Sequence, residues 1–575
     1  MARIRKVTIE NFRCIKQLTW LPAPGVNCLI GPGDSGKSTI LDAIDYCLGA
    51  RRNLQFSDAD FHQLNVEEPI RISVTFGELG DSLKNLDAYG MYLRGFDLSS
   101  GVEDEPRDDA ETVLTLQLTV TSDLEPSWSL VSERAQAQGQ SRNLNWSDRV
   151  SVAPMRIGAA AGYHLGWGRG SVLNRLSGER ADASAALAKA ARDARAAFGE
   201  DAQEQLNETL GIVGDTAEEL GIPLAGDVKA MLDAHSVSFS GGTISLHDKD
   251  GVPLSGLGVG STRLLIAGLQ RKAADYASII LVDETEHGLE PHRIIRFLGS
   301  LGAKEKSPPL QSFMTTHSPV VLRELSGDQL FVVRKGEEDH NVTPVGTADD
   351  IQSTIRLYPD AFLAQSVLVC EGASEVGCVR GVDLHRVESG QTSIAASGVA
   401  LVDCGGGDAE RCFKRAGVFQ KLGYRTAILR DSDKEVPEET AEAFTEAGGT
   451  IIAWRGGRAL EDELFLSLTD DGVDELLDRA IELHGKELVA EHVRTAAGDS
   501  TDLAKARAKA KADGYSPKIR AVLGGAARFR KAGWFKSVSW MEAVTHDIVG
   551  PDLPHADKGF RAIIKSIFDW ADDDA

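Results

Sequence analysis

Acidic residues stand at three places in this chain where chemistry could be done. VLVCEGASE puts Glu371 at the end of an apolar run with Glu375 four residues on, TAILRDSDK puts Asp431 and Asp433 at the end of another, and AWRGGRALEDELFL supplies Glu461, Asp462 and Glu463. Residues four apart can share a helix face, and residues two apart share one side of an extended chain. Oxygen donors without His or Cys suit Mg²⁺ or Mn²⁺. Two such ions on converging carboxylates would activate a water and stabilise the leaving oxygen of a phosphodiester. Each cluster alone reads equally as turn or helix-start chemistry, because Glu-Gly and Asp-x-Asp are ordinary at strand ends.

A second chemistry is written earlier. LIGPGDSGKSTILDAI, from Leu29 to Ile44, fits the phosphate-cradling pattern G-x-x-x-x-G-K-[ST]. Gly31 and Gly36 permit a tight backbone path that points N–H groups at phosphate oxygens. Pro32, Gly33, Asp34 and Ser35 complete the loop, Lys37 would reach the terminal phosphates, and Ser38, followed by Thr39, would hold Mg²⁺. In SIILVDETEHGLEP, Asp283 at a strand end can bind Mg²⁺ through its water shell while Glu284 orients the attacking water. The alternative is a buried strand with an acidic loop. In FMTTHSP, His317 follows another apolar strand and could sense a γ-phosphate.

Elements must position these groups. Residues 2 to 30 read as two strands feeding the glycine loop, and 69 to 76 and 112 to 120 alternate as half-buried strands do. The acidic stretch DLSSGVEDEPRDDAE between them reads as a surface loop. From Leu176 to His235 the sequence turns alanine-rich with helical periodicity, either a dimerisation arm or a plain helical subdomain. Strands and helices resume to about Thr347. A second unit beginning near Ala364 alternates strand and helix as a doubly wound parallel sheet does, and in such sheets functional groups gather beyond the carboxyl ends of the strands. The last hundred residues read as mostly helical.

A length of 575 residues points to two to four domains. No stretch approaches the roughly 18 apolar residues of a membrane span, and MARIRKVTIENF lacks a signal-peptide core, so the expected compartment is the cytoplasm. Seven cysteines form no C-x-x-C pair and read as reduced, buried thiols. A net charge of -24 argues against a surface that coats nucleic acid everywhere. Thr501 to Lys536 nonetheless carries ten Lys or Arg against two acids, either a phosphate-binding face or a solvated helix.

ENFRCIK, GPGDSGKST, LGVGSTRLL, IILVDE and TTHSP, in that order, resemble the ABC-type ATPase heads of SMC, RecF and OLD-family proteins. The resemblance implies ATP and Mg²⁺ as cofactors, with Gly31 to Thr39, Asp283, Glu284 and His317 as nucleotide ligands. It makes LGVGSTRLLIAGLQ the signature segment that caps the nucleotide of a neighbouring head through Gly258, Gly260 and Ser261. Gly258 replaces the usual serine, with Ser255 and Ser261 close by. Gln55 and Gln117 are the candidates for the family's Q-loop.

The order E-G-x-x-E, D-x-D sixty residues on, and a glutamate in L-E-D-E-L resembles the Toprim domain of OLD nucleases. That implies Glu371, Glu375, Asp431, Asp433 and Glu461 as metal ligands, with Asp462 and Glu463 as substitutes and Gly405 to Gly407 as the family's glycine turn. It implies a charge-stabilising lysine near the C-terminus, for which Lys536 comes first and Lys531 second. The expected class is α/β: an ATPase head in two parts, 1–165 and 239–347, a helical dimerisation insertion at 166–238, a Toprim core at 364–470 and a helical completion at 471–575. The expected function is an ATP-binding, Mg²⁺- or Mn²⁺-dependent endonuclease acting on double-stranded DNA, a homodimer or higher oligomer. Likeness to the Gabija nuclease subunit adds bacterial anti-phage defence and a UvrD-like helicase partner. The alternatives are a RecF-like repair ATPase without nuclease activity, a topoisomerase or primase, or a nuclease acting on RNA.

Overall fold

The computed structural model describes residues 2–51, 53–99, 101–158, 161–166, 171–176, 189–190, 192–194, 206–219, 246–251, 253–274, 278–336, 339–498, 500–529 and 532–573. Contacts divide it into one unit of Met1–Cys28 with Ser38–Val321 and another of Leu29–Lys37 with Leu322–Ala575.

In the first unit, β1 (Arg3–Phe12) and β2 (Ile15–Trp20) form a hairpin, and β3 (Val26–Ile30), buried throughout, runs toward the glycine loop. Three strands therefore stand where the sequence suggested two, because Pro22 and Pro24 break the run between Trp20 and Val26. β4 (Ile70–Gly77) pairs antiparallel with β1 on one side and with β7 (Glu111–Val120) on the other. β5 (Arg94–Asp97) and β6 (Gly101–Glu103) extend that edge, so part of the expected acidic surface loop is strand. Asp104 in the same stretch is held by the amides of Glu133 and Arg134, which gives this acidic segment a fixed partner. β8 (Pro126–Leu130) pairs with β7.

The chemically interesting strands of this unit are parallel. β9 (Met155–Ile157) and β11 (Gln311–Thr315) flank β10 (Ile279–Val282), whose four residues are all buried. Asp283 and Glu284 emerge at the carboxyl end of β10, beside Thr315 at that of β11. Most of the insertion expected at 166–238 lies outside the described residues. Within it, Val172–Leu176 and Asn207–Glu219 are helices.

The second unit contains the hairpin β12 (Leu330–Lys335) and β13 (His340–Pro344), then a four-stranded parallel sheet. Its strands are β14 (Ser366–Cys370), β15 (Val399–Asp403), β16 (Arg425–Arg430) and β17 (Thr450–Ala453), in the order β15-β14-β16-β17. Cys370 lies level with Asp403 and Leu429, and Arg430 with Ala453, so all four strands end along one edge. Val367 to Cys370 and Ala427 to Leu429 are fully buried, as strands covered on both faces require. From Leu460 onward the chain is helical and encloses a core that includes Leu464, Phe465, Trp534 and Phe535. All seven cysteines are free thiols, six of them buried.

Candidate functional site

The carboxyl edge of the four-stranded sheet collects the acidic residues. Glu371 follows β14 directly, its amide donating to Leu429 O at 2.9 Å and its carbonyl accepting from the amide of Gly406 at 2.7 Å. Gly405, Gly406 and Gly407 all have left-handed backbones, which turns the chain after β15 so that this amide faces Glu371. Glu375 sits in the first turn of the helix Ala373–Glu388 and accepts from the Gly372 amide at 2.9 Å. A strand-to-helix turn brings Glu371 and Glu375 together; the expected shared helix face does not, because the helix starts after Glu371.

Asp431 follows β16, accepting from the Leu460 amide at 3.0 Å, while its own amide donates to Glu371 Oε2 at 3.1 Å. The chain bends immediately after it, and Asp433 pairs with Arg528 at 3.5 Å while its charge still acts on Asp431. Glu461, in the first turn of the helix Leu460–Ser467, is buried and its Oε1 has no hydrogen-bond partner. Burial, the charge of Glu461 and that of Glu371 push Asp431 up to about 8. Burial, then Asp431 and Glu461, push Glu375 well above the ordinary carboxylate range, and Glu461 is raised chiefly by burial. Crowded, desolvated carboxylates of this kind favour a neutralising cation.

The three residues of L-E-D-E-L separate in role. Glu463 is fully buried and paired with Arg455 at 2.7 Å and Arg458 at 3.3 Å. Burial opposes its charge, but the Arg455 and Ser467 hydrogen bonds outweigh that and hold it below the ordinary value. Asp462 accepts from the Ala459 amide at 3.1 Å and forms an ion pair with Arg528 at 3.1 Å. Both substitutes are thus engaged with protein cations.

Basic groups border the cluster. Lys434 Nζ lies 2.9 Å from Glu371 Oε1. Lys536 Nζ donates to Arg528 O at 3.1 Å, and its charge, like that of Arg528, favours the ionised form of Glu461. Lys531 lies outside the described residues. Lys434 escaped the sequence reading, although it directly follows the Asp-x-Asp, and Arg528 was read there only as part of the basic stretch Thr501 to Lys536. Among the described residues, no three His, Cys, Asp or Glu side chains are already arranged to hold one ion. Lys434 holds one oxygen of Glu371, and Arg528 holds Asp433. The donor set is all oxygen, and Glu461 offers a free buried oxygen, so Glu371, Glu375, Asp431, Asp433 and Glu461 fit Mg²⁺ or Mn²⁺ by chemistry.

In the glycine loop, a Cβ on Gly31 would lie 2.6 Å from Val333 O at φ +133°, so only glycine fits there. Gly36 and Asp34 also have left-handed backbones, with Gly33 and Asp34 exposed between them. Lys37 is buried and donates to Gly31 O at 3.1 Å, Pro32 O at 2.5 Å and Ser35 Oγ at 3.3 Å. Thr39 Oγ1 meets Cys14 Sγ at 3.4 Å. Ser38 Oγ donates to Asp283 Oδ1 at 3.0 Å, so the two residues expected at Mg²⁺ touch each other.

Asp283 also accepts from Thr315 Oγ1 at 2.6 Å and faces Arg156 at 3.3 Å. Glu284 has a left-handed backbone, φ +46°, and a largely exposed side chain, the kind of strain that gathers at functional sites. His317 is exposed; its amide donates to Glu286 Oε1 at 2.8 Å. Gly258 caps the helix Val259–Lys272. Gly260 lies against Gly288, where a Cβ would come within 2.1 Å of the carbonyl oxygen, and Ser261 Oγ accepts from Arg293 at 2.9 Å. Arg263, also missed in the sequence, is buried and donates to the carbonyls of Asp283, Glu284 and His287. Gln117 donates across strands to Ser73 Oγ at 2.9 Å, whereas Gln55 is exposed.

A mixed α/β head with a phosphate loop and an acidic strand end defines an ABC-type ATPase fold, accompanied here by a carboxylate-edged parallel sheet. Residues 26–323 match the family described as AAA domain, putative AbiEii toxin, Type IV TA system, and with just over half of the chain inside that match, the chain belongs to it. It is similar to the OLD nuclease of Thermus scotoductus, 22% identical over 476 residues that cover 77% of this chain and 84% of that one. A stretch of 45 residues is 44% identical to the DNA replication and repair protein RecF of Prosthecochloris aestuarii, covering 8% of this chain and 12% of RecF. Among solved structures, an SMC head bound to the C-terminal winged helix domain of ScpA aligns at TM-score 0.34 and 16% identity, over 59% of this chain and 97% of that one. No described helix is long and apolar enough to cross a membrane.

Proposed function

We propose that the protein is an ATP-binding, Mg²⁺- or Mn²⁺-dependent endonuclease that nicks or cuts double-stranded DNA under nucleotide control, in bacterial anti-phage defence. The observation that carries the chemistry is the crowding of Glu371, Glu375, Asp431 and Glu461 at one sheet edge, with Asp431 pushed up to about 8. The similarity to an OLD nuclease over most of both chains supports the same reading. A Toprim assignment for the parallel-sheet unit, the domain limits 1–165, 166–238, 239–347, 364–470 and 471–575, homo-oligomerisation and a helicase-like partner as in Gabija belong to this proposal.

Bound divalent cations supply an activated water and neutralise charge at the scissile phosphate. Glu371, Glu375, Asp431, Asp433 and Glu461 would hold them. Lys536 and Arg528 stand at the rim, where a cation stabilises charge developing on a phosphate. At the nucleotide, the amides of Gly31 to Gly36 and Lys37 would bind phosphates, Ser38 and Asp283 would hold Mg²⁺, and Glu284 would orient water. Gly258 stands where the signature serine would be, and Ser261 Oγ accepts from Arg293, which leaves the Ser261 O–H as the one hydroxyl donor at these positions. The missing serine favours ATP as a gate over ATP as fuel.

The test is conversion of supercoiled plasmid by the wild-type protein, with Mg²⁺ or Mn²⁺ titrated against ATP. Cleavage that EDTA abolishes and ATP modulates is expected. Cation-dependent DNA binding with no strand cleavage would instead support the RecF-like alternative.

A further inference from the structure

The carboxylate cluster carries a cation of its own. Lys434 leaves the bend after Asp433 and puts its ammonium 2.9 Å from Glu371 Oε1. The carboxylate is 5% exposed and the lysine 44%, so the pair lies at the boundary between cluster and solvent. The other oxygen, Oε2, accepts the Asp431 amide, which leaves Oε1 as the oxygen of Glu371 that can change partner. The cluster is not a closed ion-pair network, because buried Glu461 Oε1 has no partner. Asp433 and Asp462 already have Arg528.

We propose that Lys434 and a divalent cation compete for Oε1 of Glu371, and that Lys434, once displaced, turns its charge onto a phosphate of the bound strand. The inference rests on the metal-dependent nuclease reading and adds to it a residue that sets when the site takes its cation and its substrate. An ammonium on a four-carbon stem is a compact, mobile charge with three donors, suited to move between a carboxylate and a phosphate. A cation binding Oε1 must remove the lysine's hydrogen bond and is repelled by its charge while it remains. No bond is made or broken in this step.

The test uses the full-length protein. Mg²⁺ binding is measured by calorimetry without DNA in the wild type, Lys434→Ala and Lys434→Gln, with Lys509→Ala as a charge control. Lys509 is exposed on the helix Leu503–Asp513. Duplex binding is measured with Ca²⁺ in place of Mg²⁺ across a range of salt. The expected result is Mg²⁺ binding about tenfold tighter in both Lys434 variants, corresponding to about 1.4 kcal/mol, and unchanged in Lys509→Ala. Duplex affinity should fall several-fold, with the salt slope smaller by about one.

Unchanged or weaker Mg²⁺ binding in the Lys434 variants, unchanged duplex affinity, or no Mg²⁺ binding by the wild type would overturn the inference. If the wild type binds Mg²⁺ yet never cuts DNA, the nuclease reading fails while the competition stands. If it cuts DNA and Lys434 leaves Mg²⁺ affinity untouched, the inference fails alone.

Discussion

At the scale of single residues, the cluster's chemistry is set by how costly it is to ionise. Asp431, pushed up to about 8 by burial, Glu461 and Glu371, holds a proton in the folded protein at pH values where an unfolded aspartate, near 3.9, has lost it. The native state then binds more protons than the unfolded state between about pH 4 and 8, so this group's contribution to stability falls as pH rises through that window. Asp431→Asn removes the penalty. Its melting temperature relative to wild type, both metal-free, is expected to climb from pH 5 to pH 8, and Mg²⁺ should stabilise the wild type most at the upper end. A difference that is flat or falling with pH would show that Asp431 is not held in this way. Glu463 behaves oppositely, with its charge matched by Arg455 and Arg458. Glu463→Ala leaves both guanidiniums without that partner and should cost about 2 to 3 kcal/mol of stability, discounted for their partial exposure. Chemical denaturation checks it.

At the scale of elements, strand ends do the positioning. The strands β14, β16 and β17 were legible as apolar runs, the first two ending in acids, because that needs only local pattern, whereas β15 was not singled out. What the runs touch was not legible. Lys434 meets a carboxylate 63 residues away and Arg528 one 95 residues away, separations that carry no local signal. L-E-D-E-L presents three acids of similar type, and only packing shows that Glu461 faces the cluster charges while Glu463 faces two arginines. The described arginines of the basic stretch pair with acids: Arg507 meets Asp474 and Asp478, Arg520 meets Asp470, and Arg528 meets Asp433 and Asp462. Lys505, Lys509, Lys511, Lys518 and Lys536 are exposed. In the ATPase head, the helix Val259–Lys272 carries Arg263, whose three hydrogen bonds fix the turn bearing Asp283 and Glu284. Arg263→Lys cannot make all three from one fork. ATP hydrolysis is expected to fall about tenfold or more with ATP affinity changed only a few-fold, as misplacement of a reacting group predicts. Parallel loss of affinity would point to general disruption instead.

At the scale of the whole molecule, one chain carries both a phosphate loop and a carboxylate cluster, each built from its own residues. The phosphate loop and the carboxylate cluster were both legible because each is a short motif with a strand before it. Most of the segment 166–238, expected to mediate dimerisation, lies outside the described residues, so oligomer formation remains part of the proposal. Lys37→Ala should weaken ATP binding at least tenfold, since the terminal phosphates lose their lysine, and should change how ATP modulates cleavage while leaving Mg²⁺-dependent cutting in place. Loss of all cutting in a folded Lys37→Ala protein, with and without ATP, would count against the gate.

The central claim is that Glu371 belongs to a metal-dependent cutting site. Its most direct test is plasmid nicking by Glu371→Ala beside wild type at saturating Mg²⁺, with ATP binding measured on the same samples. Nicking reduced at least a thousandfold is expected, on the order of the loss of a group that holds the catalytic ions, with ATP affinity unchanged. Nicking at the wild-type rate by the variant would contradict it.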